Sequence, residues 1–270
     1  MSAAALSPLP GQAGCGTASA ACAGAMARGA VEPAPTNLAP AVSSLLPLLR
    51  LLQLASPALP VGAYTYSQGL EWAVESGAVR NEADAAAWIG ELLEWSLARF
   101  EAPLLACQLA TWTAGDDVEV ARLNGDFLAS RETAELRAET VQMGWSLVKL
   151  LAELEAFAAL PGWRARLLAI DTPCFPTVWS AAAAAWQVPA DHALAAYLWA
   201  WAENQVMAAV KAVPLGQSAG QRLLAGLGGR IPALVESALR LPEACWSNYT
   251  PGLAIASSRH ETQYTRLFRS

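Results

Sequence analysis

Charged residues and histidines are scarce in this sequence. Only 15% of its 270 residues are Asp, Glu, Lys or Arg, against about a quarter in typical soluble domains. The two histidines, His192 and His260, form no HExxH pair of the kind that binds a catalytic zinc ion. The glycine-bearing segment 216–222 lacks the GK[ST] ending of a phosphate-binding loop and follows no predicted strand. We therefore expect a protein that is not an enzyme and has no cofactor or tight metal site.

Long uninterrupted apolar runs are also missing, although 54% of the residues are hydrophobic. A membrane-spanning helix needs about 20 predominantly apolar residues. The most apolar stretch, residues 177–213, is broken by Gln187, Pro189, Asp191 and Lys211, among others. No Lys or Arg precedes the Ala-rich patch at 18–27, as a signal peptide would require. We expect a cytoplasmic protein that does not act at a membrane.

The sequence also lacks a net positive charge and closely spaced cysteines, which bears on the kind of partner and on the redox state of the thiols. The net charge of −6 argues against nucleic acid, because binding to phosphates needs clustered Lys and Arg. The five cysteines are scattered and include no CxxC pair, which favours reduced thiols over a disulfide framework. A chain this apolar and weakly charged has surplus hydrophobic surface, which indicates a protein partner or self-association.

The first 47 residues differ from the rest of the chain. They are mostly Ala, Pro, Gly and Ser, and Arg28 and Glu32 are their only charged residues. Such a segment buries too little apolar surface to offset the entropy that is lost on folding. We therefore expect residues 1–47 to be a disordered extension.

From Leu48 onward, apolar residues recur at intervals of three and four, which is helical spacing. The longest predicted helix covers residues 131–157, with Ser130 as its N-cap. Other helices are expected at 67–75, 82–99, 103–113, 177–187, 191–212, 217–226 and 231–240. The period-two alternation of strands is absent from the sequence. We predict a single all-α domain over residues 48–256, a bundle of about nine or ten helices.

The final stretch, residues 257–270, has little helical periodicity and a different charge. It has three arginines, one glutamate and two adjacent apolar side chains, on a chain that is acidic overall. These residues are Arg259, Glu261, Arg266, Leu267, Phe268 and Arg269. The pattern indicates a docking tail for a protein partner, and we expect its removal to leave the helical fold intact.

Four blocks of the sequence together resemble the UreF family of urease accessory proteins. They are LASPALPVGAYTYSQGLE at 54–71, SRETAELRAETVQMG at 130–144, the segment 204–224 with AVKAVPLGQ and AGQR, and SRHETQYTRLFRS at 258–270. The blocks occur in one order along residues 48–270, and the first 47 residues lie outside the resemblance.

The resemblance implies a nickel-delivery scaffold that acts in urease maturation. Such a protein is all-helical, forms a homodimer and binds the accessory protein UreD, also called UreH. The pair then recruits the GTPase UreG and delivers nickel to apo-urease. The resemblance also implies that the C-terminal tail becomes ordered against UreD, in agreement with the docking tail inferred from its composition.

The candidate partner-binding residues lie in these blocks. They are Tyr64, Tyr66, Glu71, Lys211, Gln217, Arg259, His260, Arg266, Leu267, Phe268 and Arg269. The two tyrosines fit either a buried core or an interface, where ring and hydroxyl both serve. Lys211 fits either a solvated lysine at a helix C-terminus or a contact to the GTPase or to a neighbouring subunit.

Two other functions remain open at this point. The protein could regulate the partner GTPase by inserting an arginine or lysine into its nucleotide site. Alternatively, it could be a general helical interaction module that is unrelated to nickel.

Overall fold

A computed structural model describes residues 45–270, and every regular element among them is helical. The α-helices are α1 (Leu45–Ala55), α2 (Leu70–Glu75), α3 (Glu82–Leu92), α4 (Ala102–Ala114), α5 (Asp117–Ala129), α6 (Ala134–Glu153), α7 (Glu155–Ala158), α8 (Trp163–Leu168), α9 (Phe175–Ala185), α10 (Ala190–Ala212), α11 (Gln217–Arg240) and α12 (Pro251–His260). A π-helical segment, Leu93–Glu101, joins α3 to α4, and short 3-10 turns lie at Ala63–Thr65 and Glu243–Cys245. The predicted all-α bundle is confirmed, and the short helices α7 and α8 raise the number of helices above the nine or ten expected.

Helix α9 lies at the centre of the bundle. It packs between α4 and α6, and all its residues from Pro176 to Ala184 are buried. Its run of alanines brings neighbouring backbones close together. Gly144 of α6 also packs closely against the loop that precedes α9, because a Cβ atom there would lie 2.0 Å from the carbonyl oxygen of Pro173. Helix α10 packs along α11.

The start of α6 differs from the sequence prediction. Thr133, not Ser130, is the N-cap, and its Oγ1 accepts a hydrogen bond from the main-chain N–H of Leu136 at 3.2 Å. Ser130 instead closes the preceding helix, since its Oγ donates to the carbonyl oxygen of Phe127 at 2.6 Å. The expected helix over 131–157 is therefore shorter, and α7 follows it as a separate turn.

Helix α11 is continuous where two helices were predicted. Pro232 lies inside it and removes one main-chain hydrogen bond, which costs about 3 kcal/mol in a helix interior. Leu227, Ile231 and Val235 are buried along one face of this helix. This tertiary burial keeps the helix continuous through Pro232 and through residues 227–230, where the sequence prediction left a gap.

The predicted domain boundaries shift at both ends. Residues 45–47 were assigned to the extension but belong to α1, and the rest of that extension lies outside the described residues. Residues 257–260 were assigned to the tail but form the last turn of α12. Across the helices of residues 45–270, none is both long and apolar enough to cross a membrane.

Candidate partner-binding site

The chain turns back after α12 and packs onto the loop that precedes α2. We call residues 261–270 the C-terminal segment. The main-chain N–H of Arg269 donates to the carbonyl oxygen of Thr65 at 2.7 Å. The carbonyl oxygen of Ser270 accepts from both the N–H and the hydroxyl of Ser67, at 2.5 and 2.6 Å. The segment is thus held within the protomer, and the prediction of a tail separate from the fold was wrong.

Glu71, in the first turn of α2, is the main anchor of this segment. Its buried carboxylate accepts hydrogen bonds from the main-chain N–H groups of Leu267 and Phe268, at 2.6 and 3.0 Å. Charge-assisted bonds of this kind are stronger than neutral ones. Oε2 of Glu71 also lies 3.2 Å from Nε2 of His260. One side chain therefore orients both the segment and the end of α12.

His260 connects three helices and is fully buried. Its Nδ1 lies 2.7 Å from Oε2 of Glu135 on α6, while its Nε2 faces Glu71 on α2. Arg266 completes the chain of contacts, with Nη1 at 2.7 Å from Oε1 of Glu135. Both ring nitrogens of His260 therefore face carboxylate oxygens of other helices. His260 is a positioning residue and not a free surface contact.

Glu139, one turn further along α6, holds the end of the segment. Its carboxylate accepts from Nε2 of Gln68 at 2.7 Å and from the hydroxyl of Ser270 at 2.8 Å. Burial raises the pKa of Glu139 to about 7, against the opposing effect of these two hydrogen bonds. Trp201 of α10 donates to Oε1 of Gln68 at 2.7 Å, so the network reaches a fourth helix.

The two candidate tyrosines, Tyr64 and Tyr66, differ in their exposure to solvent. Tyr66 is buried and donates to Oε1 of Gln142 at 2.9 Å, and burial raises the pKa of its hydroxyl. Tyr64 is 63% exposed. Only Tyr64 therefore has its ring available to a partner.

Of the remaining candidate residues, two contact each other and the others are exposed to solvent. Phe268 is buried, and Nζ of Lys211 lies 5.7 Å from the centre of its ring. Leu267 is 70% exposed, and Arg259 and Gln217 are exposed as well. Gln217 begins α11 and makes no side-chain hydrogen bond to the Glu71–His260 network within residues 45–270.

Sequence reasoning missed several residues of this site, among them Glu135, Glu139 and Tyr264. Glu135 and Glu139 are four residues apart in the second sequence block, which places both carboxylates on one face of α6 toward the segment. The four-residue spacing of these two glutamates could have indicated from the sequence that they share a face of the helix. Tyr264 is fully exposed beside the predicted residues of the segment.

The segment 216–220 reads Gly-Gln-Ser-Ala-Gly, which has the GxSxG spacing of a hydrolase nucleophile. That motif needs a sharp turn from a strand into a helix. Here Ser218 is exposed in the first turn of α11, which follows helix α10. The spacing therefore does not form a nucleophile elbow. Within the described part of the chain, no three His, Cys, Asp or Glu side chains are grouped to hold a metal ion.

Comparison with known proteins gives a consistent result. A model of the UreF family matches residues 79–228. The chain is 81% identical over 226 residues to the urease accessory protein UreF of Azoarcus sp. (strain BH72), covering 84% of this chain and 97% of that protein. This chain belongs to the UreF family.

Two further UreF relatives support the assignment. The urease accessory protein UreF of Dechloromonas aromatica (strain RCB) is 58% identical over 234 residues, which cover 85% of this chain and all of that protein. The urease accessory protein UreF of Methylobacillus flagellatus is 49% identical over 223 residues, which cover 83% of this chain and 97% of that protein. The resemblance read from the four sequence blocks is confirmed.

Proposed function

We propose that this protein is a non-catalytic scaffold in urease maturation. In this role it binds the accessory protein UreD (UreH), recruits the GTPase UreG and helps to deliver nickel, as cargo, to apo-urease. Membership of the UreF family supports this role, since the relatives are named urease accessory proteins.

The observation that carries the proposal is that the C-terminal segment has one buried side and one exposed side. Phe268 and Ser270 are buried on one side, while Leu267 and Tyr264 are exposed on the other. Aromatic and apolar side chains of this kind are typical anchors at protein interfaces. Because the segment is already ordered, a partner that binds it loses less conformational entropy than with a free tail.

Charge around the segment supports the same surface. The side chains of Arg259, Arg266 and Arg269 are exposed, and Arg guanidinium groups suit partner carboxylates. Tyr64 adjoins Thr65, whose carbonyl oxygen accepts from the main chain of Arg269. We assign UreD to the surface formed by Tyr64, Tyr264, Leu267 and the three arginines.

Helix α1 supports a second contact, between two copies of the chain. It exposes five leucines: Leu45, Leu46, Leu48, Leu49 and Leu52. Several exposed apolar side chains on one short helix favour association. We propose a homodimer with UreD bound to each copy, and light scattering of the purified protein alone and with UreD measures both stoichiometries.

A surface variant tests the assignment of UreD. Leu267→Ser removes an exposed side chain, so we expect the free energy of unfolding to change by no more than about 0.5 kcal/mol. Co-purification with UreD should weaken by roughly tenfold or more, as for a hot-spot residue. Urease activity and the nickel content of urease in cells should fall in parallel.

Val118→Ser on α5 is the matched control, because Val118 is also a highly exposed apolar residue, at 84%. It should leave both UreD binding and urease activation at the wild-type level. Equal UreD binding by Leu267→Ser and Val118→Ser would contradict the assignment of this surface. A role outside urease maturation would follow if deletion of the gene left urease fully active.

A further inference from the structure

Helix α12 has one buried face and one exposed face. The exposed residues recur at helical spacing and are Pro251, Gly252, Ile255, Ser258 and Arg259. The side chain of Ile255, one turn before Arg259, is 57% exposed. The 10 residues of the helix span about 15 Å. This exposed face therefore leads from the loop before α12 to the start of the C-terminal segment.

The loop before α12 is hydrogen-bonded to the π-helical segment. The main-chain N–H of Ser247 donates to the carbonyl oxygen of Arg99 at 3.1 Å. The hydroxyl of Ser96 donates to Oδ1 of Asn248 at 2.9 Å. Tyr249 follows Asn248 directly, so these two bonds hold it beside the π-helical segment.

Trp95, Arg99 and Tyr249 lie together at this end of α12, and we call them the aromatic patch. Trp95 is 48% exposed and Tyr249 is 81% exposed. The guanidinium carbon of Arg99 lies 5.4 Å from the centre of the Trp95 ring, which is a cation–π contact. Trp, Tyr and Arg are the residue types most enriched among interface hot spots. The aromatic patch thus has the composition of a protein-binding surface.

Two arginines on this side of the protein have no acidic partner. Among the ion pairs within residues 45–270, none includes Arg99 or Arg259. Arg230 of α11, by contrast, pairs with Glu94. A guanidinium group that is exposed and not paired internally can bind a carboxylate of another protein through two parallel hydrogen bonds. The charge of this face therefore favours a partner with acidic side chains.

The size of a stable interface also favours a larger surface than the C-terminal segment alone. A standard interface buries about 800 Å² on each partner and involves about 20–30 residues a side. Such an area is about 30 Å across, roughly twice the length of α12. An interface centred on the exposed face of α12 therefore reaches both the C-terminal segment and the aromatic patch.

We propose that the UreD-binding surface extends along the exposed face of α12 to the aromatic patch, and that UreD presents carboxylates to Arg99 and Arg259. The rings of Trp95 and Tyr249 supply apolar contact area beside these ion pairs. The inference rests on the proposed binding of UreD to the C-terminal segment.

Tyr249→Ser tests the aromatic patch. Because Tyr249 is 81% exposed, we expect its replacement to leave the melting temperature unchanged. The dissociation constant for purified UreD, measured by biolayer interferometry, should rise by roughly tenfold or more, as for a hot-spot residue. Val118→Ser, at a similarly exposed position of α5, is the control and should bind UreD as the wild type does.

Two substitutions of Arg99 test the charge of the partner. Arg99→Gln removes the positive charge and keeps a long polar side chain, so the dissociation constant should rise by roughly three- to tenfold. Arg99→Glu should raise it further, because like charges then face each other. Arg164 of α8 is also exposed and has no ion pair within residues 45–270. Arg164→Gln is therefore the matched control and should leave the dissociation constant unchanged.

The outcome for Leu267→Ser separates this inference from the proposed function. If Leu267→Ser weakens UreD binding while Tyr249→Ser and Arg99→Glu bind as the wild type does, the extension is wrong and the proposed function stands. Wild-type affinity of all three variants would contradict the assignment of UreD to the C-terminal segment as well. Equal affinity of Arg99→Gln and Arg99→Glu would contradict a carboxylate of UreD at Arg99.

Discussion

Oε2 of Glu71 and Nε2 of His260 lie 3.2 Å apart in the protein interior, although 189 positions separate the two residues in the sequence. Around this contact, α2, α6, α12 and the C-terminal segment are joined by carboxylates that accept from main-chain and side-chain donors. Buried contacts therefore determine the position of the residues that form the proposed docking surface. Changes to buried residues should alter that surface without touching a partner.

Glu71→Gln tests the anchor of the segment. The amide keeps one acceptor oxygen but turns its NH₂ group toward a donor, so one buried N–H loses its partner. We expect the free energy of unfolding to fall by about 1–3 kcal/mol in urea titrations. Amide hydrogen exchange at Leu267 and Phe268 should also accelerate.

Glu75→Gln, at the exposed end of α2, is the control and should have little effect on either measurement. Slow exchange at Leu267 in the Glu71→Gln protein would show that other contacts hold the segment.

Removal of residues 261–270 should destabilise the fold, contrary to the expectation from sequence. The truncation takes away buried Phe268 and the partners of Glu71 and Glu139. Loss of a buried Phe side chain alone costs about 3 kcal/mol or more. For a chain of this size, we expect the melting temperature to fall by about 6–12 °C. An unchanged melting temperature would mean that the segment contributes nothing to the fold.

Gly69→Ala tests the contact between α2 and α12. Gly69 has a φ of +77°, and a Cβ atom there would lie 2.9 Å from Cβ of Ala256. Gly77 has the same φ, but its Cβ would meet nothing within 4 Å. Both substitutions place an alanine at the same positive φ, so the difference between them reports mainly the clash.

We expect Gly69→Ala to be less stable than Gly77→Ala by about 1–3 kcal/mol in chemical denaturation. Gly69→Ala should also weaken UreD binding, whereas Gly77→Ala should not. Equal stability of the two variants would show that α12 shifts at no cost.

Glu139 should make the stability depend on pH. Its pKa is raised from 4.5 to about 7 in the folded protein, so between these values the folded state binds more protons than the unfolded state. The free energy of unfolding therefore falls as pH rises from 4.5 to 7 and levels off above 7, by up to about 3 kcal/mol from this group.

Glu139→Gln removes that titration while keeping an acceptor for Gln68. Its stability relative to the wild type should increase from pH 5 to pH 8, as measured by urea unfolding at each pH. A constant difference across this range would assign the pH dependence to other groups.

Local patterns were sufficient for most helices but not for α12. The segment 82–99 has a clear apolar stripe, and α3 with its π-helical extension lies there. Helix α12 has no such stripe, because much of its sequence is small or polar. It is held by tertiary contacts, including the hydroxyl pair of Ser257 and Thr133 at 2.7 Å. No local pattern records a contact between residues so far apart.

The sequence predicted several of the residues of the candidate site but not how they contact one another. Glu71, His260 and Phe268 stood out because they lie in family-like blocks. Their mutual contacts depend on how α2, α6 and α12 pack, which one sequence does not give. The sequence therefore suggested exposed partner contacts, whereas these three side chains are buried.

The pairing of Ser67 with Ser270 has a consequence for synthesis of the protein. The two residues are 203 positions apart, so the C-terminal segment can reach its place only after residue 270 has left the ribosome. Until then, Glu71 and Glu139 lack the donors that the segment supplies. A nascent chain can fold its local helices early, but contacts at this separation form late. The proposed docking surface therefore forms only after residues 261–270 have been synthesised and have packed onto the loop that precedes α2.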